Sequence, residues 1–110
     1  MSLTVQILDH SFGVPATDVD VLVRRHTEDG WQDVARGLTG EDGRLTVLPA
    51  GQCAPALYQL VCDIDAYYAI LGAVPLFPRA VVEFRLSESE PGLVLAVAVS
   101  AHSVLVYRGS

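Results

Sequence analysis

The segment LVLAVAVSAHSVLVYRG, residues 93–109, constrains this chain more than any other. Leu93, Leu95, Val97 and Val99 alternate with Val94, Ala96 and Ala98, so both faces of an extended strand here are apolar. An antiparallel strand wetted on one side alternates apolar with polar residues. This one does not, and it must lie inside a sheet that is covered on both sides. Ser100-Ala101-His102 is a tight link to a second β-prone run, with Val104 and Val106 on one face and Ser103, Leu105 and Tyr107 on the other. The opening run LTVQIL (3–8) also alternates, placing Leu3, Val5 and Ile7 against Thr4, Gln6 and Leu8. If these three strands share a sheet, its outward face is largely apolar.

Turn signals at short intervals extend the β reading to the whole chain. Alternation marks strands at 19–26, 31–39, 44–48, 57–64 and 79–86. TEDG (27–30) and GEDG (40–43) read as turns, because glycine accepts positive φ. DHSFGVPATD, the 49–56 stretch and VPLFP read as loops. Only DAYYAILG (65–72) reads as a helix, with Asp65 capping its start and Gly72 its end. Eight strands and one short helix predict an all-β domain over 1–110, built as two antiparallel sheets packed face to face.

Two coverings suit the outward face. The helix or the 49–56 loop could lie over it as a third layer, or two copies of the sheet could face each other. One short helix is too small to cover three strands, which favours the second. The small residues Val94, Ala96 and Ala98 would then leave a gap between copies, suited to a ligand. Composition agrees, since 51% of the 110 residues are apolar and only 18% charged, an excess consistent with subunit contacts. A net charge of −6 with no basic patch argues against nucleic acid as a partner. No apolar run reaches the length of a membrane span, and MSLTVQILDH lacks the basic start and long apolar core of a secretory leader. Cys53 and Cys62 have no metal-site spacing and read as reduced, structural thiols of a cytoplasmic protein.

Several segments resemble the transthyretin and hydroxyisourate hydrolase family. LTVQILDHSFGVPATDVDVLV resembles its opening strand–loop–strand, and GLTGEDGRL its Asp-Gly-Arg turn. YQLVCDIDAYYAILG is similar to its strand-plus-helix segment, and LFPRAVVEFRL to its Phe-Pro strand start. The ending YRGS resembles the C-terminal signature of the hydrolase branch. The resemblance spans nearly the whole chain. It implies a transthyretin-like (prealbumin-like) sandwich of two four-stranded antiparallel sheets. It also implies a homotetramer, a dimer of dimers, whose central channel holds two small-molecule pockets without metal or cofactor.

In the hydrolase branch those pockets use a histidine of the first strand, the turn arginine, a histidine of a His-Tyr-His-Val-Pro stretch, and the terminal tetrapeptide. By position these correspond to Gln6, Arg44, Val94 within Gly92–Ala96, and Tyr107, Arg108, Gly109 and Ser110. Both histidines are therefore replaced. Imidazole titrates near neutrality and suits proton transfer; Gln6 and Val94 cannot replace it. Arg44, Tyr107 and Ser110 remain as candidate catalytic groups. Arg44 would anchor an anion and Tyr107 would act as an acid. Gln6, Leu8, Val94, Ala96, Ala98, Leu105 and Arg108 are candidate substrate-binding residues.

Each has a plainer role. Arg44 could close its turn or pair with Glu41 or Asp42; Tyr107 and Gln6 could serve an interface; Arg108 could pair with an acid. His102 could fold toward the channel, whereas His10 and His26 have no assigned role. Three functions stay open: an enzyme with a repurposed pocket acting on a small cyclic or carbonyl-bearing substrate, a non-catalytic apolar-ligand-binding or scaffolding tetramer, and 5-hydroxyisourate hydrolysis with substitute residues.

Overall fold

The computed structural model describes residues 2–51, 53–87 and 92–109. In chain order its elements are β1 (Leu3–Asp9), β2 (Val14–Pro15), β3 (Asp20–Thr27), β4 (Gly30–Leu38), β5 (Arg44–Leu48), β6 (Ala56–Asp63), α1 (Ile64–Ile70), β7 (Arg79–Leu86), β8 (Leu93–Val99) and β9 (Val104–Arg108). They form a sandwich. Sheet I holds β1, β8 and β9, with β2 and β5 sharing the far side of β1; sheet II runs β4-β3-β6-β7. The eight strands read from the sequence are all present.

Alternation dictates what lies between the layers. Leu3, Val5 and Ile7 of β1 and Leu95, Val97 and Val99 of β8 point inward. They meet Val21 and Val23 of β3 and Tyr58, Leu60 and Cys62 of β6. Fully burying a side chain of this size stabilises by about 1.5–3 kcal/mol relative to leaving it exposed. Both cysteines are free and buried, and burial pushes the Cys62 thiol up to about 12.

Four details differ from the sequence reading. β1 and β8 pair in parallel, Leu3 with Leu93 through Asp9 with Val99, whereas the other pairings are antiparallel. Val14–Pro15 forms a short strand inside the presumed loop, against Leu8 and Asp9. The helix cap is Asp63, whose Oδ1 accepts from the Ala66 N–H at 3.1 Å; Asp65 instead lies in the first turn. Strand β6 runs straight into the helix, so its last residue is the one placed to cap. The Gly72 end stands as expected, at φ +75, with N–H bonds from Gly72 to Ala69 O and from Ala73 to Tyr68 O.

The fourth detail is Asp9, which is fully buried. Its carboxylate accepts from Tyr67 Oη at 2.7 Å, Tyr68 Oη at 3.3 Å, Ser11 N at 2.8 Å and Phe12 N at 3.2 Å. Burial, and then the neighbouring carboxylate, push the Tyr67 phenol up. This cluster ties the loop after β1 to the helix. The helix itself packs against β7 and sends Ile64 and Tyr68 into the core, leaving the outward face of sheet I open.

Candidate functional site

Strand register sorts the outward residues of sheet I into rows. Gln6 pairs with Arg44 on one side and with Ala96 on the other, and Ala96 pairs with Tyr107. Arg44, Gln6, Ala96 and Tyr107 therefore form one row across four strands. Strands about 4.8 Å apart put the Arg44 and Tyr107 backbones about 14 Å apart. Their long side chains flank Ala96, which has almost none.

A second row holds Leu8, Ala98 and Leu105. On the other side of the first row come Thr46, Thr4 and Val94, with the two threonine hydroxyls 3.1 Å apart. Gly109 closes that row. Its N–H donates to Val94 O at 2.7 Å, and a Cβ on it would stand 2.9 Å from Val94 Cγ1. Only glycine allows so close an approach.

Ala96 and Ala98 are each 3% exposed although they face away from the core, because longer neighbours shade them. Leu105 (57%) and Tyr107 (46%) stand out into solvent. The face is a shallow trough with an alanine floor.

The turn before β5 positions Arg44. Gly43, at φ +76, offers its carbonyl to Ile7 N at 2.8 Å, and a Cβ there would collide with Ile7 O. The Arg44 backbone N–H donates to Asp42 Oδ1 at 2.9 Å. Its guanidinium approaches Gln6 Oε1 at 3.4 Å, a long and weak contact. Among the described residues the ion pairs are Arg24–Asp33 and Arg36–Asp20, and Arg44 takes part in neither. It can accept a carboxylate, enolate or oxyanion.

The structure thus brings Arg44, Gln6, Leu8, Val94, Ala96, Ala98, Leu105 and Tyr107 onto one face. Arg108 is not with them. It pairs with Leu95, on the opposite side of β9 from Tyr107. Ser110 lies outside the described residues. His102 is exposed in the β8–β9 turn, and His26 stacks edge-on against Trp31 at the tip of sheet II. Among the described residues no set of three or more His, Cys, Asp or Glu side chains gathers to hold a metal, and no helix is long and apolar enough to cross a membrane. Thr4, read from the sequence as outward but not as a site residue, lies on this face, and Thr46, which the sequence reading did not single out, lies beside it. His10, to which the sequence reading gave no role, is exposed at the next outward position after Leu8.

A two-sheet sandwich with this strand order and an arginine-bearing turn at the edge of an apolar outer face defines a class. Residues 3–109 match the family model described as HIUase/Transthyretin family, and the chain belongs to that family. A relative from Salmonella typhimurium named 5-hydroxyisourate hydrolase is 31% identical over 98% of this chain and 80% of its own length. A solved Klebsiella pneumoniae 5-hydroxyisourate hydrolase is 27% identical with a TM-score of 0.87, covering 100% of both chains. Sea bream transthyretin, solved in complex with thyroxine, is 30% identical with a TM-score of 0.91 over 97% of this chain and 93% of its own.

Proposed function

We propose that this chain is a hydroxyisourate hydrolase-like protein whose pocket has been turned to a different small substrate, cyclic or carbonyl-bearing. The observation that carries the reading is the row Arg44–Gln6–Ala96–Tyr107 beside the row Leu8–Ala98–Leu105. The first row offers an anion anchor and a phenol but no group that titrates near neutrality. The second is more apolar than an oxidised purine needs.

The chemistry that suits such a row is proton transfer with isomerisation or cyclisation. Arg44 would stabilise charge developing on the substrate's carbonyl oxygen through charge-assisted hydrogen bonds. In a cyclisation Tyr107 would protonate that oxygen as the substrate's own nucleophile adds to the carbonyl carbon, and the resulting phenolate would take up the proton that the nucleophile sheds. No cofactor enters. We place this site between copies, in a homotetramer whose facing sheets enclose the trough, because Leu105 and Tyr107 stand exposed in the single chain. The proposed compartment is the cytoplasm, where both thiols would stay reduced.

A second reading, a ligand-binding tetramer without turnover, draws support from the apolar floor and from the thyroxine bound by sea bream transthyretin. The deciding experiment is a kinetic assay on freshly generated 5-hydroxyisourate. Loss of a general base typically forfeits about 10²–10⁴-fold in rate. Turnover should therefore be feeble, and the Gln6→His/Val94→His variant should gain it. A rate matching the family's hydrolases, abolished by Arg44→Ala, would overturn the repurposed reading.

A further inference from the structure

Strand β6 ends at Asp63, and β7 begins opposite it at Arg79. The two are register partners, so a carboxylate and a guanidinium start from neighbouring Cβ atoms about 5 Å apart. Yet no ion pair joins them. The Asp63 Oδ1 accepts from the Ala66 N–H at 3.1 Å, and its Oδ2 has no hydrogen bond among the described residues. Arg36 also feels the Asp63 charge, but Asp20 holds its guanidinium through Nε and Nη2 at 3.0 and 2.8 Å. The Arg79 guanidinium takes part in no hydrogen bond or ion pair among the described residues.

These uncommitted charges border a recess of about 420 Å³ between α1 and the start of β7. Its charged lining is Asp63, Asp65 and Arg79, and its apolar lining is Ala66, Ala69, Ala73 and Val74. The alanines leave room that longer side chains would fill, and Val74 stands 91% exposed beside them. Backbone bonds fix the walls. Pro78 O takes the Ile64 and Asp65 N–H groups at 2.9 Å, the Ala73 N–H reaches Tyr68 O at 2.9 Å, and the Leu76 N–H reaches Ala101 O at 2.8 Å. A recess held open in this way is pre-organised, which lowers the cost of ordering it around a ligand.

We infer that this recess takes a free α-amino acid with an aliphatic side chain. The carboxylate of the ligand meets Arg79, and its ammonium meets Asp63 Oδ2 and Asp65, through charge-assisted hydrogen bonds. Its side chain lies on Ala66, Ala69 and Ala73 and takes Val74 out of water. An α-amino acid carries both charges on one carbon, which suits groups one strand apart; a peptide sets them further apart. A simple anion would meet two carboxylates beside its one arginine, and a simple cation would leave Arg79 unanswered. The recess lies off the outward face of sheet I, so this site stands apart from the substrate site proposed above.

The test titrates L-leucine, L-leucinamide and N-acetyl-L-leucine into the full chain at neutral pH, followed by two-dimensional NMR. L-leucine should move the amide signals of Ala66, Ala69 and Val74 and leave those of Ala96 and Ala98 in place. It should bind about tenfold tighter than leucinamide, which lacks the carboxylate, and than N-acetyl-leucine, which lacks the ammonium. Arg79→Gln should erase the advantage over leucinamide. Asp63→Asn/Asp65→Asn should erase the advantage over N-acetyl-leucine, because asparagine keeps the helix cap and removes the charge. Arg44→Ala should leave all three affinities unchanged. The site is overturned by the absence of a saturable leucine shift, by shifts confined to Ala96 and Ala98, or by equal affinity for the three probes. An advantage that survives its matching variant, or leucine binding lost in Arg44→Ala, overturns it as well.

Discussion

The two outer faces of this sandwich have the same geometry and opposite chemistry. Sheet II presents Asp20, Arg24, Asp33, Arg36, Asp63 and Arg79 around a floor of Leu22, Val61 and Val81, and together they line a groove of about 430 Å³. Sheet I presents a smaller recess, alanines and Arg44, which makes no ion pair among the described residues. Yet the larger groove is the less promising site. Arg36 grips Asp20 through Nε and Nη2 at 3.0 and 2.8 Å, and Arg24 holds Asp33 at 3.0 Å. Two of its arginines thus hold two of its acids, and a face so charged can remain in water. On sheet I Leu105 and Tyr107 stand exposed, and among the described residues the Arg44 guanidinium has only the long contact to Gln6 and no ion pair. Unmet chemistry, more than concavity, marks a surface that waits for something else.

The contrast breaks most easily with a buried charge. Ala98→Arg should dissociate the proposed assembly, since an unpaired charge in an interface costs about 3–5 kcal/mol. The matching substitution on sheet II, Val61→Arg, should leave the assembly intact. Sedimentation velocity separates the two. If both variants sediment like wild type, the face of sheet I is wetted and the distinction fails.

Next in size is the anchor at the edge of sheet I. Asp9→Ala leaves two phenols and two backbone N–H groups without their acceptor. A loss of about 2–4 kcal/mol in folding stability follows, read by urea denaturation. Asp33→Ala on sheet II removes an exposed partner and should move the midpoint far less.

A smaller effect appears in alkali. The Cys62 thiol has an ordinary value of 9.0 and is raised to about 12 by burial. The folded chain therefore holds this proton more tightly than the unfolded chain. The stability it contributes is fully present below pH 9 and is lost as the pH climbs from 9 toward about 12. Tyr67, raised by burial first and by Asp9 second, acts in the same direction from above pH 10. Cys62→Ala should flatten the slope of stability against pH above 9, at the cost of a small cavity.

The smallest effect belongs to sheet II. The hydrogen bond from Arg36 holds the Asp20 carboxyl below its ordinary 3.8. A depressed carboxyl contributes above the unfolded value, and that contribution is lost as pH falls through the folded one. Because the pair is mostly solvated, Arg36→Ala should change acid stability only slightly, and high salt should hide the change.

Much of this was legible in the residues. Period-two alternation named the strands and their faces, because which side a side chain takes depends only on its place in the strand. Residues 93–99 read as apolar on both sides, with Leu95, Val97 and Val99 now in the core and Ala96 and Ala98 outward, and the Asp-Gly turn at 27–30 placed the β3–β4 hairpin. The cap was misplaced by two residues because the reading could not see that β6 continues into α1, where the Ile64 and Asp65 N–H groups are both taken by Pro78 O at 2.9 Å. Asp9 looked like the start of a loop, since its four donors come from residues up to 59 positions away.

What the chain determined by itself, then, was local: which residues face in, which face out, and where the backbone turns. Register and direction between distant strands were decided only when the sheets closed. The parallel pairing of β1 with β8, the row that sets Arg44 across from Tyr107, and the turning of Arg108 to the other side all depend on it. The reason is physical, because a strand's alternation is symmetric under sliding by two residues and under reversal of direction. Only packing against the rest of the core selects one pairing among them.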